Sequence, residues 1–461
     1  MTDHPSMTLA RNVAAMRFAD FPAATIHKTK IHILDTLGAA IAGGISLETQ
    51  TVLRAFGLAD QSGVCGSAPV WGTALALDSR TASFINGVSA HAFELDDCGG
   101  CDHSGAVVLP AVVAALGDIR EAVTGQHFLT AVIAGYEVGR RVLEACGGYE
   151  SFNGLGWHST GVCGAFGAAS AVGALHGFDA KRHASALGVA CSYAGGTWAF
   201  IHDGSQTKKL HAGRAAEGGL SAARLAAAGL DGPLSVFDAS GWGNFFATFA
   251  RGEADENLLS ADFGQFWRIN RCSIKPYATC RGTHSAVDAV EKMLAGHGFA
   301  PSDIARIDVG MSAFQAGMCG GKTIASRADA QMSLPYALAA RLEYGKVGLD
   351  ELERAAWSAP AIARWLALTH VEVDPAMEAE AEPAVTLTLS DGRAFRETVE
   401  FPLGSRENPM SDAAVIAKFM ALAGRVLPEE RCREIRDFVM ALDTIPDARR
   451  LPVLLSRPAK N

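Results

Sequence analysis

Val385-Thr386-Leu387-Thr388-Leu389-Ser390-Asp391-Gly392-Arg393-Ala394-Phe395-Arg396-Glu397-Thr398-Val399 is the stretch whose reading decides the fold class. Alternating Val/Leu and Thr put the apolar side chains on one face of a strand, and Asp-Gly supplies the positive φ of a tight hairpin turn. Ile307-Asp308-Val309-Gly310-Met311 reads as a further strand. Outward from this region the pattern turns helical. Ile31, Ile33, Leu34, Leu37 and Ile41 recur at helical spacing, segments 106–116, 128–143 and 161–175 continue it, and helices return after Pro402 at 411–422 and 428–442. Between the strands, 334–342 and 348–366 read as helices, and the acidic, Pro-bounded 374–383 as a loop. The expectation is a mainly α protein. Residues 1–269 form a large all-helical domain, 270–402 a smaller α+β lid, and 403–461 rejoin the helical domain, leaving an interdomain cleft for a site.

Composition excludes several classes. The 461 residues are 49% hydrophobic and 19% charged with 49 Gly, which suits a compact enzyme and not a disordered chain. A net charge of −9 speaks against nucleic-acid and anionic-membrane partners. The longest apolar run, 105–117, contains Pro110 and is too short to span a bilayer. Met1-Thr2-Asp3-His4-Pro5 lacks a basic n-region, so a cytoplasmic location with reduced thiols is expected for the ten scattered cysteines.

Chemistry concentrates in four segments. Glu94-Leu95-Asp96-Asp97-Cys98-Gly99-Gly100-Cys101-Asp102-His103-Ser104-Gly105 allows a metal reading through Cys98, Cys101, His103, Asp96 and His91. A structural zinc site needs a second ligand pair, and no second CxxC or HxxxH follows. The reading preferred is a Gly-loosened loop presenting acids and His103 at a helix start, where first-turn N–H groups can hold a carboxylate. A capped loop with incidental polarity is the plain alternative. In Gly156-Trp157-His158-Ser159-Thr160, a lone His at a helix start reads more readily as structural than as catalytic. Gln206-Thr207-Lys208-Lys209-Leu210-His211 gathers cations for an anionic ligand, and a Lys beside another cation is expected to have a lowered pKa and serve as a base. Lys275-Pro276-Tyr277, Cys280-Arg281 and Thr283-His284 add an Arg fork that matches a carboxylate. The ligand indicated is a di- or tricarboxylate. Gly161, Gly164 and Gly167 resemble a phosphate loop, but no strand precedes them, and they read as a closely packed helix.

In that order and spacing, with Asp35-Thr36-Leu37-Gly38 upstream, these segments resemble the MmgE/PrpD family across nearly the whole chain. The family includes 2-methylcitrate dehydratase, cis-aconitate decarboxylase and iminodisuccinate epimerase. The resemblance implies a helical domain made from both chain ends, an α+β lid, a homodimer, and chemistry on polycarboxylates without metal or other cofactor. Its motif acids fall on Glu94 and Asp97, its histidines on His103, His158 and His211, and its basic residues on Lys208 and Lys275. Cys98 stands where the motif has Thr, Ser104 and Lys209 replace prolines, Cys280 takes the decarboxylase's His position, and no Tyr lies near Met318 where that enzyme has one. These departures point away from cis-aconitate decarboxylation and leave dehydration and epimerisation open.

The shared step is formation or quenching of a carbanion beside a carboxylate, which needs a neutralised carboxylate and a tuned proton carrier. The expectation is a metal-free lyase of the 2-methylcitrate dehydratase type, with epimerase and decarboxylase as alternatives and a silent carboxylate-binding protein as the other class. Proton transfer is assigned to His103, His158 and Lys208, tuned by Glu94 and Asp97. Substrate binding is assigned to Lys275, Arg281, His211, Cys280 and Cys98.

Overall fold

A computed structural model describes residues 4–59, 65–251 and 254–457. Its central helix α1 (Ala23–Gly43) buries Ile31, Ile33, Leu34, Leu37 and Ile41, as their spacing requires. Burying each such side chain contributes about 1.5–3 kcal/mol. Against it pack α2 (Ser79–His91), α3 (Ser104–Leu116) and α4 (Gly125–Ala145), and on these in turn α5 (Ser159–Leu175) and α6 (Thr207–Ala227). The small residues of α5 do what their spacing indicated. A Cβ at Gly167 would lie 2.8 Å from the Gly135 carbonyl of α4, and one at Gly161 2.2 Å from the Gly195 carbonyl. Gly87 of α2 and Gly213 of α6 meet in the same way, a Cβ on the first falling 2.7 Å from the Cα of the second. These close crossings bring the ends of α2, α5 and α6 together, and the site forms there.

One four-stranded sheet follows. Strand β1 (Ile304–Met311) lies between β2 (Thr369–Val373) and β3 (Ala384–Leu389), and β4 (Ala394–Thr398) completes the order β2-β1-β3-β4. The β3–β4 hairpin turns at Gly392, φ +89°, as the Asp-Gly pair demands. Val385, Leu387 and Leu389 are buried in a core of their own with Ile307 and Val309.

Helix α7 (Asp412–Ala423) returns to α1. Gly38 leaves room for Phe419, and Lys418 Nζ reaches the buried Asp35 carboxylate at 2.6 Å and the Leu95 carbonyl at 2.7 Å. The C-terminal segment therefore buttresses the loop that carries Glu94.

Two local expectations are corrected. Residues 348–366 are not one helix: short turns at Asp350–Leu352 and Arg354–Trp357 precede a helix Pro360–Leu368. Pro360 has no N–H to continue a helix and instead starts the next one. Strand β2 carried no distinct signal because most of it is exposed, and its parallel pairing with β1 creates it. Among the described residues no single helix is long and apolar enough to cross a membrane.

Candidate active site

A cavity of about 460 Å³ is walled by residues from the helical segments (Glu94, Cys98, Asp102, His103, Tyr149, Trp198, Lys208) and from the sheet-bearing part (Lys275, Cys280, Arg281, Gln315, Met318, Glu382). Two backbone hydrogen bonds fasten the halves. Cys98 N–H donates to the Ser273 carbonyl at 3.1 Å, and Ser273 N–H returns to Cys98 at 2.8 Å. This bridge sets Lys275 beside Glu94.

Glu94 is fully buried, with a left-handed φ of +55°. Its carboxylate takes Lys208 at 2.8 Å, Lys209 at 2.5 Å and Lys275 at 3.0 Å. Burial alone would push its pKa up, yet the three ammonium groups hold it well below the usual carboxylate range. The same pairing, working against burial, raises Lys208 and Lys275. This corrects the expectation for Lys208. It is locked in the charged state and cannot serve as a base near neutral pH, so it acts as a fixed positive charge. Lys209, not Lys208, is shifted downward, by burial.

His103 lies on the cavity wall at the start of α3, its Nδ1 2.8 Å from the Asp97 carbonyl oxygen and 3.1 Å from Asp96. Burial disfavours the imidazolium, but Asp102 and Asp96 outweigh it and raise the pKa. A His whose charged form is favoured, on the wall of a cationic pocket, is equipped to give up a proton. Asp102 is pressed into this position by a φ of +103°.

The other assigned residues sit differently. Asp97 does not line the cavity; its side chain takes the Tyr136 hydroxyl at 2.6 Å, Gly105 N–H at 2.8 Å and His32 at 3.1 Å. It therefore uses a first-turn donor of α3 that was expected to hold a substrate carboxylate. Asp96 is the acid that orients His103. His158 and His211 also stand behind the wall, bonded to each other through Nδ1 at 2.9 Å. Burial, then its neighbour His211, depresses His158, and burial with Lys208 lowers His211 to about 4. His158 Nε2 lies 3.8 Å from Asp102, and its ring packs edge-on to Trp198 at 5.2 Å, so the pair borders the cavity through residues of the wall. Neither lines the cavity.

Arg281 lines the cavity but is engaged. Its guanidinium donates to Glu382 at 2.6 and 3.4 Å. A substrate carboxylate entering that fork must displace Glu382. Arg281→Lys is thus expected to raise KM about tenfold with a smaller loss in kcat, the weight of a charged hydrogen bond. Glu382→Gln is expected to lower KM. Steady-state kinetics of both variants checks this, and a kcat loss without a KM change in Arg281→Lys would remove the clamp.

Cys280 and Cys98 both line the cavity. A hydrogen bond from Cys319, with Lys208 and Lys275, brings Cys280 down to about 6, while burial pushes Cys98 and Cys101 up to about 12. Thiols that stay protonated are poor metal ligands. His91, His103 and His158 do converge, with ring nitrogens within 4.8 Å of one another. Yet Asp96 already orients two of these rings, and charged Lys208 and Lys275 stand close by. We assign the group to proton handling and expect activity to survive exhaustive chelation. Loss on chelation that zinc restores would place a metal there.

Sequence reasoning missed four participants. Asp96 and Asp102 stood in plain view within the Glu94–Gly105 segment, whereas Tyr149 and Glu382 gave no signal. Among the described residues the Tyr149 hydroxyl donates to nothing closer than the Met318 thioether, at 4.0 Å, a weak bond that a ligand in the cavity can replace.

The model of the MmgE/PrpD N-terminal domain matches residues 7–257, and that of the C-terminal domain residues 277–444. The chain belongs to the MmgE/PrpD family. It is 32% identical to a cis-aconitate decarboxylase of Aspergillus terreus (strain NIH 2624 / FGSC A1156) over 96% of this chain and 94% of the relative. Identity is 29% to the cis-aconitate decarboxylase-like protein oryM of Aspergillus oryzae, over 96% and 95%, and 27% to human cis-aconitate decarboxylase, over 94% and 91%. The MmgE/PrpD chain described here is accordingly an enzyme, of the lyase type.

Proposed function

We propose that this MmgE/PrpD enzyme is a lyase acting on an unsaturated tricarboxylate of the cis-aconitate kind and releasing carbon dioxide. The observation that carries the reading is the juxtaposition of fixed cations, Lys208 and Lys275, with the protonated His103 on one cavity wall. The relatives' names supply the substrate class. The bond to the leaving carboxylate breaks, and its electron pair moves through the adjacent double bond. A retained carboxylate held by Lys208 and Lys275 stabilises that charge, and His103 delivers one proton to carbon. Aligned charges that need no reorganisation favour the transition state over the bound substrate.

Dehydration of the 2-methylcitrate type is the second reading, favoured by Cys280, which brings a thiol to the wall. Proton NMR of a polycarboxylate panel in deuterated water separates the readings. Carbon dioxide release with one deuteron gained supports decarboxylation, loss of a hydroxyl supports dehydration, and exchange alone indicates epimerisation. Ligand binding without any turnover would overturn the lyase reading. A homodimer is also proposed, as the family resemblance implies, and sedimentation as a monomer would remove it.

A further inference from the structure

We propose that the mouth of the cavity holds a second carboxylate subsite, formed by Arg271 and Arg140, for the distal carboxylate of a tricarboxylate. The proposal deepens the lyase reading and rests on it for the class of molecule bound.

Both arginines line the same cavity as Lys208 and Lys275. The Arg271 side chain is 43% exposed there. Among the described residues its one ion pair is with Glu144, at 3.8 Å, too long for a hydrogen bond. Glu144 is already taken: one oxygen accepts Arg140 Nε at 2.9 Å, the other Arg268 Nε at 2.8 Å. Beyond that, among the described residues, Arg140 has only the Gly100 carbonyl, at 3.5 Å from NH1. Two planar forks thus keep unused donors on the cavity wall, Arg271 exposed and Arg140 buried behind it.

The positive charge there is crowded. Burial, Arg140, Arg268 and Arg406 all oppose the charged form of Arg271, with Glu144 alone favouring it. A carboxylate arriving at Arg271 relieves that repulsion. The space is free, since Gly148 lines the cavity and a Cβ built on it would meet nothing within 4 Å. Five acids also line the cavity and argue the other way: Glu94 is held by three lysines and Asp102 faces His103, and three more stand outside that cluster. Glu382 is occupied by Arg281, whereas Glu150 and Glu380 are exposed to solvent, where their repulsion is screened. Arg271 and Arg140 share the cavity with Lys208, Lys275 and Arg281, so a ligand with one carboxylate more than those three cations hold has cationic partners left for it.

The test is calorimetric titration of the full-length protein with tricarballylate and with methylsuccinate, unreactive acids that share a backbone but differ by one terminal carboxylate. At low salt the unaltered protein is expected to bind tricarballylate about tenfold more tightly, the gain of one charged hydrogen-bonded contact. Arg271→Gln should cut the preference to about threefold or less, and Arg271→Lys should keep part of it. In the unaltered protein the preference should also shrink as salt is raised, because the subsite is exposed. Equal affinities in the unaltered protein, binding of neither acid, or a preference that survives Arg271→Gln would each overturn the subsite. An intact preference without turnover of any tricarboxylate would instead leave the subsite standing and remove the lyase reading.

Discussion

Exchange of His103 for Ala is expected to lower kcat by about 10²- to 10⁴-fold, the range for loss of a positioned proton carrier. His103 lines the cavity and holds its charge against burial through Asp102 and Asp96. Because the pKa is raised, the acid form is present below that value. Catalysis by the protonated ring should therefore decline as pH rises through a pKa above the ordinary 6.5. Asp96→Asn, which weakens the support for the charged ring, should move that descending limb to lower pH. Lys208→Ala should cost about 10²-fold or more in kcat by a different route, loss of a fixed charge beside the developing carbanion, and should not move the limb. Pre-steady-state kinetics across pH decides the assignment. If His103→Ala retains most of its kcat, the proton must come from another donor on the wall, such as Tyr149. Combined with Lys208→Ala, the losses should fall far short of additive, since both residues serve one step.

Glu94→Gln is expected to cause the largest loss of stability, about 3–5 kcal/mol, the cost of leaving buried charges without their partner. Three lysines share this carboxylate, each 4% exposed or less, so the substitution strands three ammonium groups at once. The pH dependence follows from the depressed carboxyl. Its folded pKa lies well below the unfolded 4.5, so its stabilising contribution is full above that unfolded value and is lost as pH falls through the folded one. Denaturant unfolding of the wild type and Glu94→Gln between neutral and acidic pH should show the gap narrowing in acid. A variant as stable as the wild type at neutral pH would mean that water, not Glu94, solvates the lysines.

The sequence by itself determined the fold class, because periodicity is a local property. Period 3.6 in α1 and period 2 in β3 are both legible within a dozen residues, and the Asp391-Gly392 pair dictates its own turn. It also singled out Glu94, His103, Lys208, Lys275 and Arg281, which line one cavity, because they stand in polar clusters that an apolar chain would otherwise not tolerate. Tertiary structure decided which of them share a wall and in what charge state. Lys208 looked like a base because Lys209 adjoins it, yet the charge that matters most is Glu94, 114 residues earlier in the chain and brought to 2.8 Å by the crossings of α2 and α6. Asp97 and Asp96 are neighbours in sequence, but Asp97 serves Tyr136 and α3 while Asp96 serves His103, because successive side chains of a loop leave in different directions. Glu382 and Tyr149 join the site only through the fold. Electrostatic energy depends on distances and desolvation, which long-range packing sets and which neither spacing nor composition records.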